Sequence, residues 1–394
     1  MAGVKRRNGL ELLNSQIEAA QEVVIKRKHL YDEASDNLKV LLYIISLLDQ
    51  FPTGEVELAV FEDGIVAKEA RELGIKVHVF SQKSRYDLSI LKNISEFINK
   101  EKFDVVHTHG PRANFYVSLM KKRIKAKWVT TIHSDPFQDF TKQGLKGWVF
   151  TKLNLKALKN IDLFFVVTNR LKKSLAALGI SNEKMHVIYN GIEYDKEQAE
   201  GYNKKEMFNI DEDVFTAIQV ARLHPVKGHE VLFDALQQTK LEKIKVLLVG
   251  DGPLEENLKS LATEKGINDK VEFLGHRQDV KQLFASSHVN LLTSHSEGFP
   301  LVLLEAANQR VPSIVTRAGE IEPLIVDETY GWIVPTGDGK ALALALEEAY
   351  DKWKTGELAA MGKHIYEHAT MNFSLQKLYE DTKETYKQLI AKNL

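Results

Sequence analysis

The chain has 394 residues, which is long enough for two domains of ordinary size, and its content of 44% hydrophobic and 27% charged residues is typical of a soluble globular protein. The net charge of −1 excludes a whole-molecule attraction to nucleic acid. Because the chain has no cysteine, disulfides and thiolate metal sites are excluded, which fits a reducing compartment.

Neither a membrane span nor an export signal is visible in the sequence. The longest largely apolar stretch, Val40 to Leu48, has nine residues, too few to cross a bilayer. The N-terminus lacks the apolar core and small-residue cleavage site of a secretory signal. We therefore expect a cytoplasmic protein.

Short β-rich runs alternate with helical patterns along the chain, after an N-terminal part that looks mostly helical. Residues 9–31 look helical, with at most a weak strand at Val23–Lys26, and a helix is predicted at Leu38–Leu48. The strands predicted in the first half are Val56–Phe61, Lys76–Phe80, Phe103–His109, Trp128–His133, Leu163–Thr168 and His186–Tyr189. Those predicted in the second half are Thr216–Val220, Ile244–Val249, Val271–Leu274, Val289–Thr293, Val311–Thr316 and Gly331–Val334.

Continuous apolar strands between helices indicate parallel sheets covered on both faces. Two such series predict an α/β protein with two doubly wound, Rossmann-like domains, residues 1–192 and 214–372. The polar stretch Glu193–Asp213 has no apolar run, so we place the linker at residues 193–213. In the terminal segment 373–394, Phe373–Ile390 is predicted to be an amphipathic helix.

The most informative motif is Ser296-Glu297-Gly298-Phe299-Pro300-Leu301-Val302-Leu303-Leu304-Glu305. Glu297 lies where a predicted strand ends, and Glu305 lies about one turn into the next helix. The intervening N–H groups lie at a helix N-terminus and can donate to an anion or a sugar hydroxyl. Open α/β sheets bind ligands at this edge. An acid near a helix start is also favoured by the helix dipole alone, so a structural role stays open.

With this motif the chain resembles the retaining glycosyltransferases of the GT-B architecture, in the large fourth family, which uses nucleotide-sugars. The resemblance covers roughly residues 100–390. Its further motifs, in the family's order, are Ile188-Tyr189-Asn190-Gly191-Ile192, Val220-Ala221-Arg222-Leu223-His224-Pro225-Val226-Lys227-Gly228, Val249-Gly250-Asp251-Gly252-Pro253 and Phe273-Leu274-Gly275. The resemblance implies two domains facing across a cleft, with the acceptor on the first, the donor on the second, and a terminal helix that crosses back to the first.

A nucleotide-sugar donor leaves as a diphosphate whose growing charge must be stabilised. Many glycosyltransferases use a metal held by Asp-x-Asp, but the only formal match, Asp211-Glu212-Asp213, falls in the predicted linker and reads as a solvated turn. We therefore expect no metal and no other cofactor, and we assign the cationic role to Arg222 and Lys227. For both, an ordinary place in a surface loop is the alternative.

The family pattern implies roles for the other donor residues. Glu305 would contact the ribose hydroxyls, and Glu297 would accept from a sugar hydroxyl or neutralise nearby positive charge. Gly252 and Arg277 would border the base, although Gly-rich turns after strands are common. The backbone that would hold the sugar hydroxyls and the distal phosphate comprises Gly298, Phe299, Pro300 and Leu301.

Histidines end two adjacent predicted strands of the first domain. His133 matches the Thr-x-His ending of the family, where the histidine lies beside the transferred sugar, so we count it with Glu297, Arg222 and Lys227 as catalytic. His109 is expected on the acceptor side, together with Asn190 near the cleft or hinge. A structural role is the alternative for a histidine at a strand end.

Residues 101–173 carry 15 Lys or Arg against 5 Asp or Glu. In this stretch Lys142, Lys146, Lys152 and Lys156 recur at near-helical spacing. They could form a solvated helix face, or a surface for an anionic membrane or a phosphate-rich acceptor. The second interpretation implies peripheral association with the inner face of the cell membrane.

The leading hypothesis is a metal-independent, retaining glycosyltransferase. It would move a sugar from a UDP- or GDP-type donor to a cell-surface polysaccharide, a glycolipid or a wall polymer. The alternatives are a nucleotide-sugar epimerase of the GT-B fold and a degenerate partner subunit or sugar-binding module. The last is favoured by Ser35-Asp36-Asn37, which stands where the family has a double-glycine loop against the donor phosphates.

Overall fold

The computed structural model describes residues 2–4, 44–84, 87–133 and 157–391. The chain divides into two compact units, the first comprising Met1–Tyr189 with Leu375–Leu394 and the second comprising Asn190–Ser374. Residues 44–49 are helical, at the end of the helix predicted at Leu38–Leu48. The helical pattern at 9–31 and the tripeptide Ser35-Asp36-Asn37 lie outside the described residues, as do Lys142, Lys146, Lys152 and Lys156.

The strands follow the predicted series. They are β1 (Ala2–Val4), β2 (Val56–Val60), β3 (Lys76–Val79), β4 (Val105–His109), β5 (Lys127–Ile132), β6 (Leu163–Val166), β7 (Met185–Val187), β8 (Phe215–Val220), β9 (Ile244–Val249), β10 (Val271–Gly275), β11 (Val289–Leu292), β12 (Ser313–Thr316) and β13 (Gly331–Val334).

Helices separate most of these strands. They are α1 (Ile65–Glu72), α2 (Ile90–Lys100), α3 (Pro111–Met120), α4 (Asn169–Ala177), α5 (Lys204–Phe208), α6 (His229–Gln238), α7 (Glu255–Glu264), α8 (Val280–Ala285), α9 (Leu301–Asn308), α10 (Gly339–Thr355), α11 (Glu357–Asn372) and α12 (Leu375–Ala391). Across the described residues, none of the helices is long and apolar enough to span a bilayer.

In the first unit, the described strands form a seven-stranded sheet with the order β3-β2-β1-β4-β5-β6-β7. Strands β4 to β7 pair in parallel, as do β2 and β3. Strand β1 lies between β2 and β4 and is antiparallel to both. The strands predicted from the sequence pair in parallel with one another, whereas β1 was not predicted, because three residues are too few to show a strand pattern.

Both faces of the first sheet are covered, as continuous apolar strands require. Successive side chains of a strand point to opposite faces, so Phe164 and Phe165 of β6 join separate apolar clusters. The cluster around Phe165 includes Leu378 and Tyr386 of α12. The amphipathic helix predicted at Phe373–Ile390 is therefore present, and its apolar face belongs to the core of the first unit.

In the second unit, the described strands form a six-stranded sheet with the order β10-β9-β8-β11-β12-β13. Every pair in it is parallel. Except for the edge strand β10, which is mostly half-buried, the strands are buried along almost their whole length, and helices pack on both faces. The α/β fold with two Rossmann-like domains that the sequence predicted is confirmed.

Residues 193–213, predicted to be a linker, lie inside the second unit and contain α5. The backbone N–H of Asp195 donates to Asn308 Oδ1 at 2.8 Å, and that of Ala199 donates to Gln309 Oε1 at 2.8 Å. The polar composition of this stretch suggested a solvated spacer, whereas its backbone is bonded to the end of α9.

Candidate active site

The order of the second sheet places two loops at one edge. Strand β8 lies between β9 and β11, so the chain leaves β8 toward one side of the sheet and reaches β11 on the other. All these strands are parallel, so their carboxyl ends point the same way. This is the switch point where open α/β sheets bind ligands. Arg222 and Lys227 follow β8, and Glu297 follows β11.

The loop after β8 is held against the loop after β11 by close backbone packing. Gly228 has a φ of +61°, and a Cβ built on it would lie 2.1 Å from the carbonyl oxygen of Thr293, so only glycine fits this approach. The Thr293 hydroxyl donates to the carbonyl of Lys227 at 3.0 Å. The backbone N–H of His295 donates to the carbonyl of Val226 at 2.8 Å. These contacts fix the backbone that carries Lys227.

Lys227 and Glu297 form the polar centre of this edge. The Lys227 Nζ lies 2.7 Å from Glu297 Oε1, and the Ser294 hydroxyl donates to the same oxygen at 2.6 Å. The side chains of Lys227 and Glu297 are 25% and 12% exposed, so the carboxylate is largely enclosed and the ammonium is reachable from solvent. This edge therefore presents a cation that is oriented by a charge-assisted hydrogen bond and open to an anion.

The rest of the Glu-Gly-Phe-Pro motif leads into α9. Pro300 precedes Leu301, the first residue of the helix, and no side chain caps this start. The N–H groups of the first turn are therefore suited to an anion or a hydroxyl. The ring of Phe299 is buried and stacks on Phe373 with 5.1 Å between ring centroids. Phe299 can thus offer a ligand only its backbone.

The other predicted donor residues differ in their exposure and in how tightly they pack. Arg222 is exposed just after β8, and Glu305 is half-buried in α9, one turn beyond its start. Gly252 packs tightly, since an added Cβ would lie 2.4 Å from the carbonyl oxygen of Leu223. Arg277 has an internal partner, with its Nε 2.8 Å from Asp279 Oδ1.

The Arg277–Asp279 pair was not anticipated from the sequence. Hydrogen bonds that Arg277 donates to the Asp279 carboxylate lower the pKa of Asp279 to about 2. The Tyr202 hydroxyl donates to the same carboxylate. The guanidinium is about a quarter exposed. The Asp279 carboxylate therefore fixes the orientation of the Arg277 guanidinium. A ligand would contact Arg277 as part of this ion pair.

The first unit brings its histidines together. Strands β4 and β5 are adjacent and parallel, and His109 Nδ1 lies 3.3 Å from His133 Nε2. His107 is 2% exposed, and its ring stacks on that of His109 with centroids 4.5 Å apart. Burial lowers the pKa of His107 to about 3 and that of His133 to about 4. Burial also lowers the pKa of His109, so all three rings are neutral at pH 7.

Asn190 opens the second unit, directly after the residue at which the first unit ends. Sequence reasoning missed Ser294, whose hydroxyl supports Glu297, and Tyr386, whose hydroxyl lies 2.5 Å from His107 Nδ1. Ser294 could have been suspected from its place three residues before Glu297. Nothing local marks Tyr386, because its partner lies 279 positions away in the chain.

The fold and this edge define a class of protein with two Rossmann-like α/β units, one of which holds an oriented Lys–Glu pair at the switch point of its sheet. The chain matches the model of the family Glycosyltransferase Family 4 over residues 43–196 and that of Glycosyl transferases group 1 over residues 202–368. The chain belongs to glycosyltransferase family 4, of the GT-B architecture, and is a glycosyltransferase.

Relatives and solved structures agree with this assignment. The chain is 28% identical over 323 residues to the N-acetyl-alpha-D-glucosaminyl L-malate synthase of Bacillus anthracis, covering 80% of this chain and 82% of that protein. It is 24% identical over 315 residues to the UDP-Gal:alpha-D-GlcNAc-diphosphoundecaprenol alpha-1,3-galactosyltransferase of Escherichia coli, covering 77% and 80%. The structure resembles that of Anabaena HepE in complex with UDP, with a TM-score of 0.76, 20% identity and coverage of 88% and 96%.

Proposed function

We propose that this glycosyltransferase is retaining and metal-independent, and that it transfers a sugar from a UDP- or GDP-type donor to a polysaccharide, glycolipid or wall-polymer acceptor. The observation that carries the proposal is the Lys227–Glu297 pair at the carboxyl edge of the second sheet, 2.7 Å apart and supported by Ser294. This pair supplies a fixed cation where the family binds its donor.

The donor chemistry follows from the residues around that pair. When the bond between the anomeric carbon and the diphosphate oxygen breaks, negative charge grows on the diphosphate, and Lys227 and Arg222 stabilise it. The first turn of α9 donates N–H groups to the distal phosphate and the sugar. Glu305 accepts from the ribose hydroxyls, and Glu297 accepts from a sugar hydroxyl while it orients Lys227.

Retention follows if the acceptor attacks on the face from which the diphosphate leaves. The new bond joins the acceptor oxygen to the anomeric carbon, and the departing diphosphate takes the acceptor proton, so no separate protein base is needed. His133 would lie beside the transferred sugar, and its neutral imidazole, whose pKa is lowered to about 4 by burial, acts as a hydrogen-bond partner rather than as a cation.

The state of the Asp-x-Asp match supports the absence of a metal requirement. Lys205 Nζ lies 2.8 Å from Asp211 Oδ1, and Lys204 Nζ lies 3.8 Å from Glu212 Oε2. Asp213 is paired with Lys243. Because these carboxylates are paired with lysines and lie before the amino end of β8, at the other end of the strand from Lys227, we assign them no metal in this proposal.

The acceptor class is inferred from relatives and from charge. The Escherichia coli relative is named for a UDP-galactose donor and a diphosphoundecaprenol-linked acceptor. The basic stretch 101–173 would attract either a lipid-linked or a phosphate-rich acceptor, or an anionic membrane surface that presents one.

The test is donor turnover in EDTA, with UDP- and GDP-sugars offered with and without a crude lipid-linked acceptor fraction. We expect transfer in EDTA and retention of the anomeric configuration of the donor, read by NMR of the product. UDP or GDP should also raise the unfolding temperature, because ligand at 100 times Kd adds about 2.7 kcal/mol.

The other outcomes separate the alternatives. Formation of an epimeric sugar without an acceptor would identify an epimerase. Sugar binding without any turnover would identify a degenerate subunit. Loss of nucleotide binding in EDTA would overturn the metal-free site, and an inverted product would overturn retention.

A further inference from the structure

The C-terminal helix α12 places one polar atom inside the core of the first unit. Tyr386 is 6% exposed, and its ring stacks on Phe165 with centroids 5.6 Å apart and planes 17° apart. Its hydroxyl lies 2.5 Å from His107 Nδ1. A buried phenol rarely loses its proton, and burial raises the pKa of Tyr386. A hydroxyl that keeps its proton needs an acceptor for it, and among the described residues His107 Nδ1 is the hydrogen-bond partner of this hydroxyl. We therefore assign the Tyr386 hydroxyl as the donor and His107 Nδ1 as the acceptor.

That hydrogen bond determines where His107 carries its own proton. With Nδ1 accepting and the ring neutral, the proton of His107 must be on Nε2. Nε2 lies 2.8 Å from the hydroxyl oxygen of Thr131 on β5, to which it donates. The ring is thus bonded at both nitrogens, which leaves it one orientation and one tautomer.

The fixed ring of His107 in turn forms a surface for His109. The two rings are 4.5 Å apart at 21°, and His109 Nδ1 lies 3.3 Å from His133 Nε2. Between two neutral imidazoles one nitrogen donates and the other accepts, so the position of the His109 ring decides how His133 is held. The nitrogen left to His133 for another partner is Nδ1.

We propose that Tyr386 is a positioning residue for the sugar-side histidines. Its hydroxyl fixes the tautomer and plane of His107, which fixes His109 by stacking, and His109 holds His133 in the orientation used for transfer. The role of His133 in transfer rests on the proposed function, whereas the tautomer of His107 does not.

Tyr386→Phe isolates the hydroxyl, because phenylalanine keeps the stack on Phe165 and removes only the donor. A matched control is Tyr379→Phe on the same helix. The Tyr379 hydroxyl accepts from Lys383 at 2.7 Å, and its ring packs edge-on against Phe51 with 4.9 Å between ring centroids. Tyr379→Phe therefore removes a hydroxyl, as Tyr386→Phe does, but that hydroxyl bonds to a lysine and not to a histidine.

The first measurement is ¹⁵N NMR of the histidine rings in the wild-type protein, which needs no variant and no activity. We expect His107 with an unprotonated, hydrogen-bonded Nδ1 and a protonated Nε2. A protonated Nδ1 on His107 would overturn the proposal. In Tyr386→Phe the Nδ1 signal should move toward that of a nitrogen without a donor, and in Tyr379→Phe it should stay.

The second measurement is steady-state transfer together with UDP affinity. We expect Tyr386→Phe to lower kcat by about tenfold, as loss of one hydrogen bond allows, with UDP affinity within twofold of wild type and Tyr379→Phe unchanged. Equal kcat in the two variants, with wild type active, would overturn the positioning role. A wild type that never transfers sugar would instead overturn the proposed function and leave the tautomer result standing.

Discussion

The two glutamates of the Glu-Gly-Phe-Pro motif lie in different surroundings. Glu297 is 12% exposed and bound to Lys227 and Ser294, whereas Glu305 is half-buried one turn into α9. Their surroundings differ enough that their substitution should have different consequences. In the proposed function, Glu297 acts on the cation and the sugar, and Glu305 acts on the ribose.

Glu305→Gln should weaken UDP and UDP-sugar alike, because ribose is common to both. Glu297→Gln should lower the transfer rate more than it lowers UDP affinity. Calorimetric titration of UDP and initial rates of transfer measure the two effects. Equal losses of UDP affinity in both variants would contradict this division.

Two histidines of the second unit make its stability depend on pH. Burial lowers the pKa of His229 to about 4 and that of His288 to about 3. An unfolded histidine titrates near 6.5, so the folded state resists a proton that the unfolded state accepts. The contribution of these neutral, buried histidines to the free energy of unfolding is therefore fully present above about pH 6.5 and is lost as the pH falls toward 4.

His288→Asn tests this dependence. The backbone N–H of Thr216 donates to His288 Nδ1 at 2.9 Å, and an asparagine oxygen can accept in the same place without titrating. Between pH 7 and pH 4.5, the variant should lose less free energy of unfolding in urea than the wild type. Identical losses would show that His288 is not one of the groups responsible.

Among the elements, the end of α9 carries two residues with unusual surroundings, Gln309 and Arg310. Arg310 has a φ of +55°, a left-handed conformation that glycine adopts more easily. Its guanidinium lies 4.5 Å over the ring of Tyr366 and donates to the carbonyl of Lys196 at 3.1 Å. These contacts offset the strain and attach the segment that begins the second unit.

Gln309→Ala should destabilise the second unit. Gln309 is fully buried. Its side-chain Oε1 accepts from the backbone N–H of Ala199 at 2.8 Å, and its backbone carbonyl accepts from Gln198 Nε2 at 2.6 Å. Removing the amide leaves Ala199 without its acceptor, which costs about 1–3 kcal/mol. Gln388→Ala, an exposed glutamine on α12, is the control and should stay within about 0.5 kcal/mol in urea unfolding. A Gln309→Ala protein as stable as the control would contradict the role.

At the scale of the whole molecule, the sequence predicted the strands of both sheets because each is a continuous apolar run between helical patterns. It also placed Lys227 and Glu297 at one edge, since parallel strands share their carboxyl ends. The strand β1 could not be predicted, because it has three residues. The attachment of residues 193–213 to α9 could not be predicted either, because the sequence of a polar segment is the same whether it bonds to protein or to water. Tyr386 falls within the helix predicted at Phe373–Ile390, but its hydrogen bond to His107 depends on long-range packing.

The basic stretch 101–173 gives a prediction about acceptor and membrane. Each Lys near an anionic bilayer contributes about 1 kcal/mol, and the attraction weakens with added salt. Replacing Lys142, Lys146, Lys152 and Lys156 with Glu should therefore lower sedimentation with anionic vesicles and lower acceptor use, while UDP affinity is kept.

A matched variant changes four exposed lysines of the second unit to Glu, namely Lys240, Lys259, Lys340 and Lys363. It carries the same charge change and should keep vesicle binding. If vesicle sedimentation is insensitive to salt and equal in both variants, the membrane interpretation is wrong and the lysines of this stretch form a solvated helix face.

We propose that Lys227, supported by Arg222, and not a metal ion, is the cation at the donor phosphates. The most direct measurement is calorimetric titration of UDP and GDP in EDTA into wild type, Lys227→Met and Lys243→Met. Lys243 pairs with Asp213 before the amino end of β9, so it controls for loss of a lysine. We expect one nucleotide to bind wild type and Lys243→Met alike, and Lys227→Met to bind about 10- to 150-fold more weakly, as loss of a charged hydrogen bond of 1.5–3 kcal/mol requires. Binding that appears only with added Mg²⁺, or equal affinity in Lys227→Met and wild type, would contradict it.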